Sequence, residues 1–157
     1  MQNPNFPLQI LQGNPADYLP VVRCAVLNKS NELLMVERTK TNEWEIPGGK
    51  VNLDERGVPL EDPLVALKRE VKEETGLSIG NVSDPWLIET HYIPDGPHAG
   101  KTRVTFGYLA TSYSGTVHVD DESNRAGWLS GSRLSAGAIM TPVSAMVVRQ
   151  DIPHLLQ

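Results

Sequence analysis

Residues 69–77 read Arg-Glu-Val-Lys-Glu-Glu-Thr-Gly-Leu, and their spacing decides how the rest of the chain is read. Each helical residue turns about 100°, so with Glu70 at zero Glu73 falls near about −60° and Glu74 near about +40°. Three carboxylates therefore share one helix face. Leu67, Val71 and Leu64 fall at roughly 60°, 100° and 120°, so the acidic stripe borders the apolar stripe and sits at the edge of the core. Like charges at these spacings cost roughly 0.2–0.5 kcal/mol per pair, which Arg69 offsets only in part. A divalent cation removes that cost, and a set of carboxylate oxygens suits Mg²⁺ or Mn²⁺. For an isolated Glu-x-x-Glu-Glu, a solvated acidic face is the better reading, so the surroundings must decide.

Working outward, Asp62 offers an N-cap, Pro63 suits the first helical position and Gly76 ends the helix in a left-handed turn, which predicts a helix over 63–75. Residues 50–60 lack a period and read as loop. Upstream, Trp44-Glu45-Ile46 forms a short strand ended by Pro47-Gly48-Gly49. Residues 21–27 and 32–38 are aliphatic or β-branched stretches around the polar Asn28-Lys29-Ser30-Asn31, which predicts a hairpin. Downstream, 86–93 and 102–112 read as strands around the Pro- and Gly-rich 94–100. In the second, Val104, Phe106, Tyr108 and Ala110 alternate with Thr105, Gly107, Leu109 and Thr111, a half-buried pattern. A further strand runs through 126–129, and 142–149 closes the chain as a helix. Pro4, Pro7 and Pro15 make residues 1–19 an arm, leaving 20–157 as one domain without repeats. The fold class expected is α/β (α+β), a mixed β-sheet sandwiched between helices.

Net charge −5 and a pI near 5.3 have the wrong sign for gripping long nucleic acid through its phosphates. A small anionic substrate stays open, because a bound cation inverts the local charge. Cys24 is the one cysteine, which excludes an intrachain disulfide framework. Its apolar neighbours make it a buried thiol rather than a nucleophile. The N-terminus lacks a basic segment followed by an apolar run, and no stretch of about 18 apolar residues occurs. The expectation is a soluble, cytoplasmic protein with a small-molecule partner and no membrane contact; a homodimer is within the range of assemblies expected.

Arg69 through Leu77 matches without a gap the pattern Arg-Glu-apolar-x-Glu-Glu-x-Gly-apolar, preceded by Pro47-Gly48-Gly49. In this it resembles the Nudix box of the Nudix hydrolases, and the strand-loop-helix context agrees. Residues 31–38 and 44–47 resemble that family's approach to the box, and Trp128-Leu129 its late tryptophan strand. The resemblance spans roughly 20–135. One departure stands out: eleven residues separate Gly49 from Glu61 where the family has five. Glu61 keeps the family's distance to Arg69, so the difference reads as a loop insertion of six; Glu55 is the weaker candidate for that acid.

The resemblance implies the Nudix fold and metal-assisted attack of water on the diphosphate linkage of a nucleoside diphosphate derivative, such as a nucleoside triphosphate or nucleotide sugar, with Mg²⁺ or Mn²⁺ as cofactor. It implies Glu70, Glu73, Glu74 and the Gly48 carbonyl as metal ligands, Arg69 as the residue that orients them and Glu61 as a supporting acid. Glu70 is the expected general base and Glu122, in the acidic loop 120–122, its alternative, against an exposed turn carboxylate. Arg38 is expected at substrate phosphate, where its fork suits the task, against a surface arginine at a strand end. Tyr92 is expected to stack on a base, against a rim tyrosine. Two other readings use the same fold. A catalytically silent nucleotide sensor would have lost the box carboxylates, which are present here. An isomerase would want a cysteine at the cleft, whereas Cys24 sits inside an apolar strand.

Overall fold

The computed structural model describes residues 13–121, 123–136 and 138–156. Strand β1 (Tyr18–Val26) is central to the first sheet because both its edges are occupied. On one side β7 (Thr102–Ala110) runs parallel to it, from Tyr18 opposite Thr102 to Val26 opposite Ala110. On the other, β4 (Gly48–Lys50) runs antiparallel. Strand β6 (Trp86–Tyr92) adds antiparallel to β7, completing the order β4-β1-β7-β6.

This occupancy corrects the expected hairpin. The polar turn forms, with the Asn28 side chain accepting the N–H groups of Ser30 and Glu32. Strand β2 (Leu33–Arg38), however, meets the end of β1 only at the Leu27–Leu33 bridge. With no free edge on β1, β2 joins a second, antiparallel sheet between β3 (Trp44–Glu45) and β9 (Ser123–Leu129). Pro47 is likewise a corner rather than an end: β3 stops at Glu45 and the chain re-enters the first sheet as β4. A two-stranded pair, β5 (Ser78–Ile79) with β8 (Tyr113–Ser114), completes the sheets among the described residues.

Helix α1 runs Pro63–Thr75, as the capping residues predict: the Asp62 carboxylate accepts the Leu64 N–H at 2.7 Å, and Gly76 takes φ 81°. Val22, Cys24 and Val26 of β1 and Val104, Phe106 and Tyr108 of β7 form one core with Leu67 and Val71 of α1. Full burial of such a side chain contributes about 1.5–3 kcal/mol. The half-buried pattern expected for β7 needs correction, because Thr105 is also buried and both faces are covered. On the opposite face, Ala25 and Leu27 join Leu33, Met35, Trp44 and the C-terminal Val147, Val148 and Ile152 in a second core. The C-terminal segment is α2 (Gly131–Ser135), α3 (Pro142–Met146) and a π-helical turn, Val147–Asp151. Helical segments thus lie on both sides of the sheets, the arrangement expected of the fold class. Among the described residues no helix is long and apolar enough to cross a membrane. Most of the expected arm, residues 1–12, lies outside the described residues; Pro15–Asp17 is a 3-10 turn leading directly into β1.

Candidate active site

The register of the first sheet sets the floor of the site. Val21 pairs with Lys50 on one side and Thr105 on the other, and Thr105 pairs with Glu89. Leu19 pairs with Arg103, which pairs with His91. Alternate residues of a strand point to one face, so these side chains share the face opposite α1, where the second core stops short. They line a cleft of about 960 Å³, within the range of small-molecule sites.

The carboxylates of α1 reach this cleft across the glycine edge of β4. A Cβ on Gly49 would lie 2.4 Å from the Glu70 carboxyl carbon, and one on Gly48 would lie 2.0 Å from the Val22 carbonyl oxygen. Only residues without a side chain allow so close an approach. The Gly48 N–H donates to Glu74 Oε2 at 3.1 Å, and Arg38 Nη2 donates to Glu74 Oε1 at 3.0 Å. Arg38 Nε also donates to Glu45. The other Glu45 oxygen takes Arg23 Nη2 at 2.8 Å, and Arg23 Nη1 donates to the Ile46 carbonyl at 3.2 Å. Charges therefore alternate in a chain, Arg23–Glu45–Arg38–Glu74. Burial nevertheless outweighs the attraction of Arg38 and Arg23 at Glu74, whose carboxyl is pushed up to about 7. Burial also raises Glu70, against the opposing pull of Arg69.

Arg69 ties the helix to the loop that precedes it. Its guanidinium donates to Glu61 at 2.6 Å, to Glu70 at 2.9 Å, to Glu73 at 3.4 Å and to the Lys50 carbonyl at 3.2 Å. Glu61 also accepts the Asn52 N–H at 3.0 Å. Hydrogen bonding from Arg69 holds the Glu61 carboxyl below its ordinary range, against the effect of burial. Between Asn52 and Glu61 the chain forms its own turn: Asp54 accepts the N–H groups of Arg56 and Val58, and Leu53 bridges to Pro59. Glu55 is exposed on this turn.

Of the residues singled out in the sequence, Gly48, Glu70, Glu74 and Arg38 meet on the cleft, with Arg69 and Glu61 bracing them. Glu73 is not brought in. Its side chain is 56% exposed, on the flank farthest from Leu67 and Val71. The buried stripe of α1 includes Pro63, Ala66 and Glu74 itself, so the acidic face overlaps the buried one rather than bordering it. Tyr92 is corrected: it is 61% exposed, because strand alternation turns it away from the face that carries His91. Glu122 lies outside the described residues. Cys24 faces the α1 core, fully buried, and burial pushes its thiol up to about 12, which removes the cysteine that the isomerase reading needs.

Arg23, Glu45, Glu89 and Arg103 were missed. A lone arginine within the apolar run 21–27 signals a buried charge in need of a partner, and Glu45 between Trp44 and Ile46 must face away from them. Glu89 and Arg103, joined at 2.8 Å, meet only through the β6–β7 register. Among the described residues no three acidic, histidine or cysteine side chains converge on one point. The donors at the α1 end of the cleft, Glu70, Glu74 and the backbone carbonyls of Gly48 and Gly49, are oxygens. That chemistry fits a hard divalent cation.

The comparisons with known proteins agree with this geometry. The NUDIX domain model matches residues 17–142. The chain is 32% identical over 113 residues to an uncharacterized Nudix hydrolase of Bacillus subtilis, covering 71% of this chain and 66% of that protein. It is 30% identical over 144 residues to the mouse 8-oxo-dGDP phosphatase, covering 87% of this chain and 37% of that protein. The match thus spans about two thirds of the first relative and little more than one third of the second. Among solved structures, the MutT Nudix hydrolase of Burkholderia pseudomallei superposes with a TM-score of 0.65 at 24% identity, covering 85% of this chain and 97% of that one, a likeness of fold. With a glycine edge that admits the helix carboxylates, an arginine that braces them and a family match over most of its length, this chain belongs to the Nudix domain family.

Proposed function

We propose that the protein hydrolyses the diphosphate linkage of a nucleoside diphosphate derivative, a nucleoside triphosphate or a nucleotide sugar, with Mg²⁺ or Mn²⁺ as cofactor. The observation that carries this reading is the delivery of Glu70 and Glu74 through the Gly48–Gly49 edge into the cleft that Arg38 and Arg23 also line. Substrate classes of the relatives point the same way: the mouse protein is named for 8-oxo-dGDP, and a relative from Marinomonas is an RNA pyrophosphohydrolase. A single buried cysteine suits a reducing, cytoplasmic setting.

Glu70, Glu74 and the Gly48 carbonyl would hold the cation, with Glu73 one turn along the same helix as the further carboxylate expected from the sequence. When bound, it supplies a Lewis acid that neutralises phosphate charge and makes water more acidic. Arg38, fixed by Glu45, presents a charged fork to a phosphate oxygen. Glu70 accepts the proton of the attacking water; burial raises its basicity while Arg69 keeps it ionised and oriented. Arg69 and Glu61 act as positioning residues that lock α1 to Lys50 and Asn52. Preorganised charge of this kind does most of the catalysis in phosphoryl chemistry.

The test is a release assay over a panel of nucleoside triphosphates and nucleotide sugars. Activity is expected with Mg²⁺ or Mn²⁺, loss in excess chelator and recovery on readdition. Undiminished release in chelator, or no release from any diphosphate, refutes the reading.

A further inference from the structure

The cleft floor is electrically two-sided. Beside α1 stand Glu70, Glu74 and Glu45, interleaved with Arg23 and Arg38. At the other end, four separate elements each deliver a basic side chain: Lys50 from β4, His91 from β6, Arg103 from β7 and His98 from the loop between β6 and β7. Lys50 Nζ and His98 Nε2 stand 3.2 Å apart, and Arg103 is paired with Glu89 at 2.8 Å. Glu89 is the one carboxylate of this end of the cleft among the described residues. Among the described residues Lys50 makes no ion pair, and its ammonium contacts the His98 ring. Two nitrogen groups brought into contact from separate elements, with the Arg103 guanidinium on the same cleft floor, form a clamp for an anionic oxygen.

We propose that Lys50, His98 and Arg103 form a second anion subsite that holds a phosphate beyond the linkage that is broken, so that the preferred substrates are nucleoside polyphosphates with a terminal phosphate rather than nucleotide sugars. Lys50 follows directly on Gly49, whose backbone touches the Glu70 carboxylate. Lys50 and the carboxylates of α1 line the same cleft, so the subsite adjoins its reacting end. Lys50 and His98 contribute side chains to the subsite, whereas the structural bond from Arg69 goes to the Lys50 carbonyl. Replacing the Lys50 side chain thus leaves the brace of α1 in place. A nucleotide sugar presents hydroxyl groups at this end and leaves the cations without a partner.

This assignment of substrate class rests on the hydrolase reading, whereas the anion subsite does not. The double variant K50M/H98A changes two solvent-facing side chains outside both cores. Calorimetric titration with inorganic tripolyphosphate, in chelator, is expected to show affinity at least tenfold weaker than wild type. In the release assay with Mg²⁺, kcat/KM for a nucleoside triphosphate relative to a nucleotide sugar is expected to fall at least tenfold, mainly through KM. Unchanged tripolyphosphate affinity overturns the subsite. Weaker tripolyphosphate binding with an unchanged ratio overturns the substrate class. A wild type that turns over neither substrate refutes the hydrolase reading, and the titration still decides the subsite.

Discussion

Glu74→Gln separates a metal-holding carboxylate from a merely buried one. Burial keeps Glu74 near 7 against an ordinary 4.5, a difference that costs roughly 3 kcal/mol of native stability at pH 8 relative to acid. The sign follows from proton binding. Between those two values the folded chain holds a proton that the unfolded chain has released, so this stability is present in acid and is lost as pH rises through about 7. Glutamine fixes the neutral form but has one oxygen where the carboxylate has two. It can accept from Arg38 or from the Gly48 N–H, not both, and the donor left unmet costs about 1–3 kcal/mol. The net expectation in chelator at pH 8 is unchanged stability or a gain of up to about 2 kcal/mol, a rise in Tm of up to roughly 8 °C for a domain of this size. Wild-type stability in chelator should decline from pH 5 to pH 8, and the variant should show a flatter profile. Turnover at saturating Mg²⁺ should fall at least ~10²-fold. Thermal unfolding in chelator and steady-state release with Mg²⁺ provide the two readouts. A variant at least as stable as wild type that keeps near-normal turnover would remove Glu74 from the site; one that loses stability would refute the account of its burial.

Arg69→Met should lower kcat at least ~10-fold with little change in KM, since it frees Glu70 and Glu61 while Arg69 does not itself line the cleft; equal loss in both parameters would show that Arg69 binds substrate directly. Deleting residues 53–58 should change selectivity across the nucleotide panel more than metal affinity. Gly57 packs near Ala16 and Lys101, at the base of the loop that carries His98, so an unchanged selectivity profile would reduce the insertion to surface decoration. Cys24 should resist alkylation by iodoacetamide in the native state at pH 8 and react on denaturation, because burial pushes its thiol up to about 12; rapid native labelling would contradict its place under α1.

Local signals were legible where a short segment settles its own conformation. Asp62, Pro63 and Gly76 set both ends of α1, and the angular order of Glu70, Glu73 and Glu74 already places Glu73 farthest from the apolar residues. What escaped was pairing between distant segments. Nothing within 21–38 shows that β4 and β7 will take both edges of β1, so a polar turn between two strands reads as a hairpin. Tyr92 and His91 are neighbours with opposite orientations, and only the register with Arg103 shows which one faces the cleft. Glu89 and Arg103 likewise become partners only once that register exists. Arg23 was readable in principle, since an arginine among valines demands an acid, but its partner Glu45 lies across a sheet boundary.

The parallel ladder from Tyr18–Thr102 to Val26–Ala110 also carries a kinetic consequence. Its first partners are far apart along the chain, so closing it costs loop entropy before any ladder contact forms, and such pairings slow folding. The 13-residue α1 is marginal as an isolated helix and lacks its packing surface until β1 and β7 meet. A peptide limited to the recognisable motif therefore holds no preformed cleft, and on a nascent chain the site can assemble only after Ala110 has left the ribosome.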